Sequence, residues 1–322
     1  MLEIPGSWLP ARAALRPEGL YLALRDVGPE ELKDAFMQET ILRLPASETI
    51  VHIAREDVGK AAPGTAPAGL IFHVARCGST LISQLLKKRE PLVVYAEPLP
   101  VNEILLPPHK WPRRELVGAL RSLGDALARH ARGPYVLKLS SWNTLFCDIL
   151  TEAFPESPWI LSLRDPVEVG VSMLNQPPGW LWEANGPVSE IASFAEADRA
   201  SRSPEEHVAR LYGAMCDAAA RLDPRRGRLV HYEGLPAAVW ETVAPHFSLS
   251  IEERQRQRMA ETARNHSKAP PGKVVPFSRD DATKQAAASS ALRQAVDSFA
   301  RPSLEHLRGI HLDRQGAKAT HA

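Results

Sequence analysis

The chain has 322 residues with 39 Lys+Arg against 38 Asp+Glu, a formal net charge of +1, and is 44% hydrophobic and 24% charged. An apolar fraction near the globular average with almost no net charge excludes a disordered chain, and the lack of a basic excess removes the electrostatic footprint of a nucleic-acid binder. The three Cys, at 77, 147 and 216, share no close metal-ligand spacing and are odd in number, so neither a zinc site nor a disulfide framework is expected, and a reducing compartment, the cytoplasm, is.

The first segment, MLEIPGSWLPARAALRPEGLYLALRDVGPEELKDAF, lacks the basic-then-apolar run of a signal peptide. No stretch approaches the roughly 18 apolar residues of a membrane span, so no membrane partner is expected. ELKDAFMQETILRL has helical spacing and ETIVHIA reads as a strand. Residues 1–58 are short for a separate core and are expected to pack as a layer on the main body. Residues 59–68, where Gly, Pro, Ala and Thr replace any periodic pattern, read as a linker, and 69–322 as one α/β domain.

That domain opens with GLIFHVA (69–75), followed by PLVVYAE (91–97), PYVLKLS (134–140), WILSLR (159–164) and RLVHYE (228–233), each suited to a buried strand. Between them STLISQLLKK, RRELVGALRSLGDALARHA, NTLFCDILTEAF and EEHVARLYGAMCDAAARL carry helical spacing. The alternation predicts a central, mainly parallel sheet flanked by helices on both faces, whose ligands bind beyond the carboxyl ends of the strands. QPPGWLWEANGP (176–187) reads as a loop, and the closing DRQGAKATHA is expected to fray.

The sharpest local signal is IFHVARCGSTLISQLL, an apolar strand running through Arg76, Cys77 and Gly78 into an amphipathic helix. A helix N-terminus offers unpaired N–H groups and the positive end of the macrodipole; Gly78 lets the backbone close on an anion, and the Ser79 and Thr80 hydroxyls add donors. Arg76 adds a planar donor fork suited to phosphate or sulfate oxygens. The alternative is a tight turn capped by Ser79 or Thr80 with Arg76 solvated. A Walker A spacing is absent and no Lys precedes Ser79-Thr80, which disfavours ATP with magnesium. Cys77, at a helix start, is a candidate for a lowered thiol pKa, but has no evident His partner for nucleophilic work.

This loop resembles the 5′-phosphosulfate loop of the sulfotransferase superfamily in its R-x-G-[ST]-[ST]-L form, which Arg76, Gly78, Ser79, Thr80 and Leu81 match. WILSLRDPVEVGVSML is similar to the family's 3′-phosphate signature, with Arg164 at a strand end and Ser172 eight residues on. Pro166 suits the first turn of a helix that brings Ser172 back towards the strand end. Otherwise Arg164 and Asp165 form a surface pair and Ser172 is a plain helical serine. The resemblance implies a P-loop-like three-layer fold and 3′-phosphoadenosine 5′-phosphosulfate as co-substrate, with no metal.

The resemblance also implies roles for weaker features. Glu97 in VVYAEPLP stands where several bacterial enzymes carry a catalytic Glu, and would act as base on an acceptor hydroxyl or amine, or else caps the Pro98 turn. Lys138 in YVLKLSSW is similar to a third-strand Lys, although LKLSS replaces DKTP. Tyr232 in LVHYEGL resembles a Tyr near the nucleotide, with Gly234 in place of an acidic or amide residue. Lys268, with Lys273, lies in NHSKAPPGKVVPFSRDD, a segment suited to fold over nucleotide phosphates or to stay a solvated loop. His73 reads as a satisfied core residue. Trp180 and Trp182 either meet a ring-containing acceptor or pin their loop to the body. The acceptor implied is a small molecule or peptide bearing a hydroxyl. The rival readings are a small-molecule kinase using ATP and Mg²⁺ and a non-catalytic nucleotide-binding module.

Overall fold

The computed structural model describes residues 7–27, 32–45, 48–60, 62, 64–106, 111–181, 202–265, 267, 276 and 278–319. Its centre is a five-stranded parallel sheet of β4 (Gly69–His73), β5 (Val93–Ala96), β6 (Tyr135–Lys138), β7 (Trp159–Leu163) and β8 (Gly227–His231), in the order β5-β6-β4-β7-β8. All five runs expected to be strands are strands of this sheet.

Side chains alternate between its two faces, and each face has its own apolar layer. Leu70 and Phe72 of β4, with Leu137 and Leu161, belong to one cluster, while Ile71, Val136 and Ile160 belong to the other. The second layer is closed by α2 (Ser79–Leu86) through Ile82, Leu85 and Leu86, and by Met259 from α8 (Glu253–Thr262). The first is closed by α3 (Leu99–Leu105), α4 (Arg113–Ala131), α5 (Cys147–Ala153), α6 (Pro166–Asn175) and α7 (Pro204–Ala220). Two C-terminal helices, α10 (Ser290–Ala295) and α11 (Arg301–Ala319), joined by a π-helical turn at Val296–Ala300, complete it. Between α8 and α10 lies a short helix, α9 (Asp281–Ala287), none of whose residues is buried. This is the P-loop-like three-layer α/β fold.

The N-terminal residues form more sheet than their sequence suggests. β1 (Trp8–Arg16), β2 (Gly19–Asp26) and β3 (Glu48–Ala54) make an antiparallel sheet in that order, of which only the third strand is expected from the sequence. The β1–β2 hairpin turns on Pro17-Glu18 and needs glycine next: Gly19 has φ 149°, and a Cβ there would lie 2.1 Å from the Ile53 carbonyl oxygen. Leu20, Leu22 and Leu24 alternate inward and join the same apolar cluster as α3 and α4, so the small sheet shares a core with the large one. The expected helix across ELKDAFMQETILRL begins only at α1 (Met37–Arg43), because the Asp34 carboxylate accepts from Thr40 Oγ1 at 2.6 Å and pairs with Arg43 instead of entering the helix.

Three further elements differ from expectation. NTLFCDILTEAF splits into a 3₁₀ turn, Ser141–Phe146, and α5. The α11 backbone runs through Ala319, past the point where fraying was expected, since Arg, Gln, Ala and Lys there are good helix formers. Finally, residues 59–68 carry no regular element among those described, but they are tied down: Gly59 N–H donates to Ser122 Oγ at 2.8 Å, Ala62 N–H to Asp125 Oδ1 at 3.3 Å, and Tyr135 O–H to the Thr65 carbonyl at 2.8 Å. None of the described helices is long and apolar enough to cross a membrane.

Candidate functional site

A cavity of about 710 Å³ opens at the carboxyl ends of β4 to β7, and nearly every described residue singled out from the sequence lines it. The strand β4 feeds it through a loop with three left-handed residues, Ala75 (φ 67°), Arg76 (φ 49°) and Gly78 (φ 84°), which roll the chain into α2. Such turns gather backbone N–H groups around a concavity that suits an anion. Gly78 itself is the N-cap, and no side chain caps the helix, so the capped-turn alternative is not what forms. A Cβ at Gly78 would meet Leu235 Cδ1 at 2.6 Å and Tyr232 Cδ2 at 2.9 Å, so close approach as well as φ demands glycine. Ser79 and Thr80 are buried and line the cavity; Leu81 points instead into the apolar layer below.

Cys77 overturns one expectation. Its side chain is fully buried, and burial pushes the thiol pKa up despite hydrogen bonds from Ser162 and the loop backbone, so it is not a low-pKa thiol. Only its place in the loop brings it to the cavity.

The two arginines behave differently. Arg76 Nε donates to Ser172 Oγ at 2.8 Å and its terminal nitrogen to Gln176 Oε1 at 2.6 Å, so the serine expected beside Arg164 is gripped by Arg76. Burial pulls the Arg76 pKa down, against an opposing push from Asp280, with Arg164 adding to the fall. Arg164 is 4% exposed at the end of β7 and is already surrounded by carboxylates. It donates to Glu168 at 2.7 Å and to Asp280 and Asp281 at 2.6 Å each, and its guanidinium lies 4.0 Å from the Tyr232 ring centroid. Burial opposes its charge, but the bonds to Asp280 and Glu168 outweigh burial and raise its pKa. The surface-pair alternative for Arg164 and Asp165 does not form: Asp165 caps α6, accepting from Val167 N–H at 2.9 Å.

Opposite the loop, Glu97 follows β5 with φ 52° and its carboxylate pairs with Lys138 Nζ. Lys138 is 1% exposed and stands 5.3 Å from the Phe36 ring centroid, so the buried ammonium has an anion and a π-face as partners. His73 Nε2 lies 3.8 Å from the same carboxylate. Its tautomer follows from its bonds: Ala75 N–H donates to Nδ1 at 3.2 Å, so Nε2 carries the proton and donates to the Leu139 carbonyl at 2.9 Å. A neutral histidine with both nitrogens engaged is a positioning group for the loop, as the reading of it as a satisfied core residue anticipated.

Several lining residues carry no signal in the sequence that marks them for a site. Phe36 comes from the N-terminal layer, held there as Lys87 Nζ and Gln84 Nε2 donate to the Asp34 carbonyl at 2.5 Å and 2.9 Å. Lys284, 15% exposed, pairs with Asp280 at 2.8 Å. The Asp280-to-Lys284 spacing of four on a helix was the available signal, but it marks a helix face and not a site. Trp180 lines the cavity; Trp182, Lys268 and Lys273 lie outside the described residues.

No protein-family model and no curated protein matches the sequence. Among solved structures the chain is similar to sulfotransferase STF9 from Mycobacterium avium, with 14% identity over 74% of this chain and 76% of that one and a TM-score of 0.42. It is also similar to mouse sulfotransferase SULT7A1 complexed with PAP, with 9% identity, 81% and 92% of the two chains covered, and a TM-score of 0.42. The sulfotransferase domain from the curacin biosynthetic pathway gives 11% identity, 72% and 97% coverage, and a TM-score of 0.41. At such identities the activity has to be read from the chain's own site.

Proposed function

We propose that the protein is a sulfotransferase that moves a sulfuryl group from 3′-phosphoadenosine 5′-phosphosulfate to the hydroxyl, or amine, of a small-molecule or peptide acceptor in the cytoplasm. The observation that carries this reading is the meeting of Arg76 with Ser172 in one cavity that Glu97 also lines, three residues drawn from separate segments of the chain.

In this reading the amides of residues 77–81 and Arg76 hold the 5′-phosphosulfate, while Ser172 and Arg164, stacked on Tyr232, serve the 3′-phosphate, with Lys268 covering the nucleotide. Glu97 accepts the acceptor's proton as its oxygen bonds to sulfur; the bond from sulfur to the bridging oxygen breaks, and its electron pair leaves on the nucleotide's 5′-phosphate. Arg76 and Lys138 stabilise the charge gathering on that oxygen, an effect that reaches about 3 kcal/mol per donor in comparable sites. No step calls on a metal ion.

Thermal unfolding with ligands tests the nucleotide class without a known acceptor. Adenosine 3′,5′-bisphosphate at about a hundred times its Kd should add about 2.7 kcal/mol to stability. Arg76→Ala should lose most of that gain. Stabilisation by ATP with Mg²⁺ and not by the bisphosphate would replace this reading with the kinase.

A further inference from the structure

The fork of Arg164 is filled from within the chain. Asp280 and Asp281 together bring two negative charges to one guanidinium at 2.6 Å, the charge and the contact distance that a phosphate dianion would bring. Asp280 also engages Lys284, so two cations of the cavity wall are neutralised by adjacent residues.

The way α9 is held makes this contact displaceable. No residue of α9 is itself buried, so its own side chains give up no core burial on leaving. Polar contacts hold the helix along its length, namely the Arg164 contacts, Gln285 Nε2 donating to Asp165 Oδ1 at 3.0 Å and Glu168 Oε1 at 3.1 Å, and Arg293 donating to Gln285, and only Ala288 at its C-cap packs on the apolar cluster. Asp280 occupies the N-cap position, where a carboxylate ordinarily accepts from the helix's first N–H groups, yet it makes no capping bond and turns to Arg164 and Lys284 instead. A free α9 could recover that cap, which lowers the cost of letting go.

We propose that Asp280 and Asp281 act as an internal stand-in for the nucleotide's 3′-phosphate: they latch α9 over Arg164 until nucleotide arrives, and the incoming phosphate displaces them, freeing both Arg164 and Lys284 to hold it. This rests on the assignment of Arg164 to the 3′-phosphate given above. The latch fills the subsite in the absence of nucleotide and makes affinity for the 3′-phosphate a competition with two of the chain's own carboxylates.

Calorimetric titration of the full chain and of Asp280→Asn/Asp281→Asn, with adenosine 3′,5′-bisphosphate and with adenosine 5′-phosphate, tests it. The double variant should bind the bisphosphate about tenfold more tightly, because the competent state is no longer depleted, and bind the 5′-phosphate unchanged. The 5′-phosphate arm also reports that the β4–α2 loop has survived the substitutions. Lys284→Ala should weaken the bisphosphate and leave the 5′-phosphate alone. An unchanged or weaker bisphosphate affinity in the double variant would overturn the latch while leaving the nucleotide reading intact. An equal gain for both ligands would do the same, since it would mark plain loss of negative charge. Failure of both nucleotides to bind either protein would overturn the nucleotide reading and the latch with it.

Discussion

Glu97 serves Lys138 as a partner and, in the proposed reaction, the acceptor as a base, and substitutions can separate the two duties. Glu97→Gln keeps an oxygen for the buried ammonium but cannot take a proton, so turnover should fall about 10²- to 10⁴-fold with folding largely kept. Glu97→Ala removes the acceptor as well and strands a Lys that is 1% exposed, a change that costs about 3–5 kcal/mol for buried pairs, read by urea unfolding. A loss for Glu97→Ala as small as that for Glu97→Gln would mean that Lys138 finds another anion. At this scale the places of Arg76, Ser79, Thr80, Glu97 and Arg164 on the cavity wall were legible because each sits at a strand end or a helix start, where an α/β sheet presents its ligand groups. The partner of Ser172 was not: Arg76 and Arg164 both reach the cavity, and only packing decides which of two forks meets a hydroxyl. Asp280 and Lys284 were illegible for the opposite reason, since charges spaced four apart on a polar helix look the same whether or not a cavity lies beneath them.

The β4–loop–α2 unit is the element on which the proposed nucleotide binding depends, and its geometry converges on Gly78. Gly78→Ala meets both a left-handed φ of 84° and side chains within 2.9 Å, so it should cost at least about 1 kcal/mol of stability. Because the clash displaces Tyr232 and Leu235, the bisphosphate should also cease to raise the melting temperature, a loss that differential scanning fluorimetry would register. The five strands of the large sheet were readable as apolar runs because they are covered on both faces. The β1–β2 hairpin was harder: Pro10, Pro17 and several alanines blur the pattern of Trp8–Arg16, although Leu20, Leu22 and Leu24 keep a period of two after a Pro-Glu-Gly turn.

For the whole molecule, acid is the informative variable. His130 Nδ1 lies 2.8 Å from the Tyr95 hydroxyl, which itself donates to the Leu127 carbonyl, and burial, aided by Arg132, pulls the His130 pKa from 6.5 down to about 4. Between those values the unfolded chain binds the proton and the folded one does not, so stability is full above pH 6.5 and falls as pH drops towards 4. The His130 share of that loss should reach about 3 kcal/mol, and His130→Asn should flatten the slope by that share in urea titrations at pH 7 and 4.5, leaving what His207, His231, His246 and His311 add, since burial lowers their pKa values too. A second expectation is that removing residues 1–58 leaves an insoluble protein, because Leu9, Leu20, Leu22 and Leu24 cover the same apolar layer as α3 and α4. Its length alone argues against a core of its own; what the segment covers follows only from the folded chain, where Phe36 also reaches the cavity.

Residues 59–68 carry the composition of a flexible joint, yet their bonds to Ser122, Asp125 and Tyr135 fasten the N-terminal sheet to α4 and β6. The two walls of the cavity are therefore unequal in mechanics: the Phe36 side is riveted to the scaffold, and the α9 side rests on exchangeable ionic contacts. In the proposed reaction the nucleotide should accordingly enter and leave on the α9 side. A bifunctional cross-link between the 59–68 strap and α4 should leave product release as it was, whereas one between α9 and α6 should arrest it, and a stopped-flow release assay on the two cross-linked proteins would tell a one-sided door from a clamshell.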